Sequence, residues 1–225
     1  MDVARIHVRK VQDMKRKQLW VAVALLAAFA LWTVLVSVVD VRPIGPDGSS
    51  VGFATLNRFI YGLTGVNWFL YSITDWMGLV PIAMALGFAI LGLVQLMTRK
   101  SLWRVDRSIL ALGLLYIVVM TAYVFFETVV INYRPVLING YLEASYPSST
   151  TLLVLCVMPT AAMQFKARIQ NTMLRRCVVI TMVAFIAFMV IGRLLSGVHW
   201  ITDIIGGALL SAGLVTVYGA LGRCR

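Results

Sequence analysis

Near the C-terminal end, Gly192–Asp203 reads GRLLSGVHWITD and sets an arginine, a histidine and an aspartate into a short run of an otherwise apolar chain. In such surroundings each of the three needs a partner or a purpose. His199 and Asp203 stand four residues apart, so on a helix beginning near Trp200 they share a face, and the carboxylate is placed to accept one imidazole N–H. That would fix the tautomer and free the other ring nitrogen as a nucleophile or base. Arg193, and Arg134 in ETVVINYRP, are permanently charged donors suited to bidentate binding of phosphate. Ser148, Ser149, Thr150 and Thr151 follow Pro147 at an expected helix start, where hydroxyls and free backbone N–H groups welcome an anion. Taken together these groups describe a phosphate pocket with a nucleophilic histidine. Each also has a plainer use: a structural helix pair, interfacial anchors, a helix cap.

The elements that would position these residues are membrane helices. The 225 residues are 60% hydrophobic and 13% charged, with a mean hydropathy of +0.89, which is too apolar for a soluble domain and marks a polytopic membrane protein. The expected fold is therefore all-α, with six transmembrane helices. They are read at Leu19–Val39, Met77–Met97, Ser108 to about Val130, about Ser148 to Phe165, Cys177–Leu195 and Trp200–Leu221. The first run is long enough to span and reads as a retained helix rather than a cleaved signal. Phe53–Tyr71 mixes aromatic residues with Asn57, Arg58, Asn67 and two glycines, and is expected as an interfacial helix at the outer headgroup level. Residues 1–18 form a basic cytoplasmic segment, and 19–225 a single transmembrane domain.

Charge orients this bundle. Sixteen of the 20 basic residues fall in segments on one side, and only Arg42, Arg58, Arg134 and Arg193 lie on the other. The positive-inside rule then puts both termini in the cytoplasm and the three polar stretches YRP, YPSSTT and GRLLSGVHWITD on the outer face. The net charge of +11 is thereby used by the membrane, and nucleic acid is not an expected partner. Cys156, Cys177 and Cys224 have no metal-type spacing and imply no disulfide framework. Gly206, Gly207, Ser211, Ala212 and Gly213 give the last helix a small-residue face for close packing, inside one subunit or between two in a homo-oligomer.

The order and spacing of these motifs resemble the type 2 phosphatidic acid phosphatases, the PAP2 superfamily of lipid phosphatases. That family's signature has three parts: a lysine six residues ahead of Arg-Pro, a Pro-Ser-Gly-His element, and Ser-Arg followed by histidine after five residues and aspartate after three more. Arg193, His199 and Asp203 match the third part in spacing, ETVVINYRP stands for the first, and Pro147–Thr150 for the second. The resemblance covers most of residues 19–221 and implies a helical bundle that needs no cofactor or metal. It also implies that His199 attacks phosphorus to give a phosphohistidine, with Asp203 orienting it and Arg134, Arg193, Ser148 and Ser149 holding phosphoryl oxygens. The membrane would be a bacterial plasma membrane, and the substrate a phospholipid or polyprenyl phosphate or diphosphate, such as phosphatidic acid or undecaprenyl diphosphate.

Three departures accompany the match. Glu127 stands where the family has lysine, Thr150 where it has the histidine that protonates the leaving oxygen, and Gly192 where it has serine. A threonine hydroxyl is a poor acid, so an alkoxide would leave slowly, whereas a phosphate monoester leaving from a diphosphate barely needs protonation. Three outcomes follow: a phosphatase biased toward diphosphates, one in which protonated Glu127 serves as the acid, or a non-catalytic lipid-phosphate binder on the same scaffold. Glu127, seven residues before Arg134, is also placed to pair with an arginine instead of facing phosphate.

Overall fold

A computed structural model describes residues 2–222, so Arg223, Cys224 and Arg225 lie outside the described residues. Eight α-helices run through them: α1 (Asp2–Val38), α2 (Ala54–Thr64), α3 (Trp68–Met77), α4 (Leu79–Arg99), α5 (Arg107–Thr128), α6 (Ser149–Arg168), α7 (Thr172–Leu195) and α8 (Ile201–Leu221). Six stretches among them are long and apolar enough to cross a membrane, as the hydropathy of the sequence implies. The chain is thus an integral membrane protein with an all-helical fold. Helix α1 passes residue 18 without a break.

The connection between the first and second spans differs from expectation. Instead of one interfacial helix over 53–71, the chain forms α2, breaks at Gly65, and restarts at α3, where the Asn67 side chain caps the helix by accepting Leu70 N–H. Helix α3 then runs on to α4 through Gly78. At about 1.5 Å per residue the 32-residue stretch Trp68–Arg99 extends about 48 Å, well beyond a hydrocarbon core of about 30 Å. Its surplus turns carry Tyr71, Thr74 and Asp75 up to the level of the site. The polar residues that weigh against burial here are satisfied inside the bundle: buried Asn57 donates to Gly52 O (2.8 Å) and Thr202 Oγ1 (3.0 Å).

Helices α6 and α8 are half buried and form the centre, with α1, α4, α5 and α7 around them presenting apolar side chains outward. The small-residue face of α8 is used within the chain. A Cβ at Gly206 would stand 2.6 Å from the Tyr146 ring, one at Gly207 3.2 Å from Ser148 O, and one at Gly213 2.6 Å from the Leu26 side chain. At the end opposite the motifs, Asp106 meets Arg99 (2.9 Å) and Arg168 (3.7 Å) and accepts from Gln95, joining α4, α5 and α6.

Candidate active site

Between α5 and α6 the chain folds into a short hairpin across the motif end of the bundle. Asn139 and Gly140 take the turn at φ 51° and 83°, the pair of left-handed positions that Asn-Gly fills at least cost. Arg134 N–H donates to Glu143 O (3.0 Å) and Ser145 N–H to Asn132 O (2.9 Å), which puts Arg134 on one arm and Ser145 on the other. The indole N–H of Trp200 donates to Tyr133 O (2.7 Å), and Ser148 N–H donates to Asp203 O (3.1 Å). The hairpin is thereby pinned to the start of α8.

His199 sits in the tight turn between α7 and α8. Gly197 makes that turn possible: its φ is +66°, and a Cβ there would lie 1.7 Å from Gly65 O. Asp203 occupies the first turn of α8, where Oδ2 accepts Trp200 N–H (2.9 Å) and Oδ1 lies 3.5 Å from Asn132 Nδ2. The expected direct bond from His199 to Asp203 is replaced by a longer path. Their nearest atoms are 3.8 Å apart, and the Ser145 hydroxyl stands between them, 3.0 Å from His199 Nδ1 and 2.5 Å from Asp203 Oδ2. Nε2 of His199 is buried and has no hydrogen-bond partner among the described residues. Burial, followed by the positive charges of Arg134 and Arg193, holds the imidazole well below its ordinary pKa of 6.5, so it is neutral.

Both arginines are buried. Arg193, in the last turn of α7, reaches Thr74 Oγ1 (3.4 Å) and Asp75 Oδ1 (3.3 Å) on α3 and lies over the Tyr71 ring, 5.1 Å from its centroid; its Nε has no hydrogen-bond partner. Arg134 is 3.1 Å from the Glu143 carboxylate, but at an angle that makes no hydrogen bond, leaving Nε and Nη1 without one. The arginine's acidic neighbour is therefore Glu143, and Glu127 forms no ion pair among the described residues. Buried guanidinium nitrogens without acceptors are costly in an apolar setting and fit an anionic ligand such as phosphate.

A tight cavity of about 10 Å³, room for about one water, brings His199 together with Glu127, Ser145, Ser149, Tyr146 and Phe126. Of the residues expected at the phosphate, Ser149 is on this wall. Ser148 is buried at the cap of α6, its hydroxyl accepting from Thr151 Oγ1 (3.0 Å) and Thr151 N–H (3.5 Å). Thr150 lies half-buried in the first turn of α6 and outside the cavity lining. The sequence reading missed Ser145, Asn132, Glu143, Thr74 and Asp75. Asp75 carried a signal, since an acid flanked by apolar and aromatic residues needs a cation; a loop serine such as Ser145 carries none.

Comparison with known proteins agrees with this architecture. The family model of the PAP2 superfamily matches residues 125–221. A solved structure, the first transmembrane PAP2 type phosphatidylglycerolphosphate phosphatase from Bacillus subtilis, superposes with a TM-score of 0.61 over 91% of this chain and 98% of that one, at 18% sequence identity. That is a likeness of fold. No curated protein matches the chain. Residues 125–221, the stretch that the PAP2 superfamily model matches, hold all three motifs.

Proposed function

We propose that the protein is a lipid phosphatase that hydrolyses a lipid phosphate or diphosphate through a phosphohistidine on His199, at the outer membrane–water interface. The observation that carries this reading is the Nε2 atom of His199: buried, neutral, without a partner, on the wall of a cavity and within the field of two buried arginines. The Nε2 lone pair attacks phosphorus as the bond to the leaving oxygen breaks; water then cleaves the P–N bond and releases inorganic phosphate. Arg134 and Arg193 stabilise the charge on the transferring group, which supplies most of the rate in phosphoryl transfer.

The leaving oxygen needs a proton only when it is an alkoxide. Glu127 shares the cavity with His199, so the acid role falls to its protonated carboxyl, ahead of Thr150, and the protein acts fastest on diphosphates, whose leaving group is itself a phosphate ester. The fold likeness adds phosphatidylglycerol phosphate to the lipids worth testing. Residues 1–18 are a basic inner extension of a single domain over 19–225, with both termini on the cytoplasmic side.

Phosphate release from undecaprenyl diphosphate, phosphatidic acid and phosphatidylglycerol phosphate, with His199→Ala as control, tests the reading. No His199-dependent phosphate from any of them would overturn it. Thr150, which stands in place of an acid and lies outside the cavity lining, favours a second reading, a binder that holds a lipid phosphate without turnover. Vesicles containing the lipid would then bind His199→Ala and the parent protein equally, with no phosphate from either.

A further inference from the structure

Three side chains stand in a row beside the cavity, all buried: Asp203, Ser145 and His199. The separation of 3.8 Å between imidazole and carboxylate is too long for a hydrogen bond, while Ser145 Oγ is 3.0 Å from one and 2.5 Å from the other. A hydroxyl has one proton to give. Asp203 acts here as an acceptor, since the same Oδ2 also receives Trp200 N–H at 2.9 Å. Ser145 therefore donates to the carboxylate and accepts from the imidazole, which must carry its proton on Nδ1. The proton-free nitrogen is then Nε2, the one without a partner.

We propose that Ser145 is a positioning residue of this site, whose hydroxyl links Asp203 to His199 and holds the imidazole in the Nδ1–H tautomer with Nε2 free to attack. The kinetic consequence rests on the phosphohistidine reading; the tautomer does not. When Nε2 bonds to phosphorus and the bond to the leaving oxygen breaks, the ring becomes cationic and keeps its Nδ1 proton, so its bond to Ser145 strengthens. When water cleaves the P–N bond, the electron pair returns to Nε2 and the ring is neutral again. The hairpin holds the hydroxyl in place: Ser145 N–H is bonded to Asn132 O, and the next residue, Tyr146, packs its ring on Gly206 and shares a 2.8 Å hydrogen bond with Thr33.

The chain has two histidines, His7 and His199, so His7→Gln leaves a single imidazole whose ¹⁵N shifts report its tautomer in detergent micelles. The expected result is Nδ1–H in this parent, loss of that preference in Ser145→Ala, and its return in Ser145→Thr. In the lipid phosphate assay, kcat of Ser145→Ala should fall on the order of 10²-fold with KM changed by less than about twofold, and Ser145→Thr should recover most of it. An Nε2–H parent, an unchanged tautomer in Ser145→Ala, or a Ser145→Ala enzyme with parental kcat overturns the role. If the parent releases no phosphate at all, the phosphatase reading fails, and the tautomer comparison still decides for or against Ser145.

Discussion

The His199 imidazole is neutral because of where it sits. Burial is the larger cause, and the charges of Arg134 and Arg193 add to it; the nearest anion, Asp203, reaches the ring only through Ser145, and Glu127 is on the cavity wall. Because the folded value lies well below 6.5, the ring stays unprotonated as pH falls through 6.5. The ¹⁵N shifts of His199 in the His7→Gln protein should show no inflection near 6.5; an inflection at the ordinary histidine pKa would contradict the buried site. Stability should move the other way. Below about 6.5 the unfolded chain takes up a proton that the folded chain refuses, so stability falls as pH drops from there toward the depressed folded value. The difference in melting temperature between the parent and His199→Gln should narrow over that window. At Glu127 the test is chemical: Glu127→Gln cannot donate a proton, so release from a phosphate monoester such as phosphatidic acid should drop by on the order of 10²-fold or more, while release from a diphosphate changes much less. Equal losses on both substrates would mean that Glu127 is not the acid. The spacing of His199 and Asp203 was legible in the sequence because only four residues of local chain separate them. Ser145 was not, since it arrives from a hairpin 54 residues away, and neither was the partner of Arg193, which lies 118 residues upstream.

Among the elements, the spans were readable because length and hydropathy decide them, whatever the tertiary packing. The stretch 53–77 was not, because its polar residues are spent on internal partners: Asn57 on α8 and Gly52, and Thr74 and Asp75 on Arg193. Sequence composition registers Asn57 as interfacial, although it is buried. The α7–α8 turn depends on close approach of two backbones. Gly197→Ala adds a methyl 1.7 Å from Gly65 O at a left-handed φ, and backbone cannot move aside as a side chain can. The expected loss is about 3 kcal/mol or more of stability, seen as a lower melting temperature in detergent, with activity lost as His199 shifts. Gly213→Ala meets the Leu26 side chain at 2.6 Å and the Leu26 backbone nitrogen only at 3.4 Å, and should cost clearly less. If the two variants melt alike, the turn is not the strained point that this packing implies.

At the scale of the whole molecule, charge and chemistry occupy opposite ends. Arg99, Arg107, Arg168 and Arg175 lie at or beside the α4–α5 and α6–α7 connections, whereas Arg134, Arg193 and His199 lie at or near the α5–α6 and α7–α8 connections. An even number of crossings then places the first residues and the end of α8 with the basic connections. The proposed orientation follows from the rule that the cytoplasmic side retains positively charged loops: the site would face outward, where a lipid head group would reach it from the outer leaflet. Two positions test this directly in a Cys177→Ser, Cys224→Ser background. Ser50, exposed in the loop after α1, lies at the site's end of the bundle, and Lys100, exposed at the end of α4, lies at the other. In intact cells a membrane-impermeant maleimide should label Ser50→Cys at once, and should label Lys100→Cys only after permeabilisation. The reverse pattern would turn the whole bundle over and give His199 the inner leaflet. The substrate pool would change with it, since a lipid diphosphate presented on the outer surface could no longer reach the cavity.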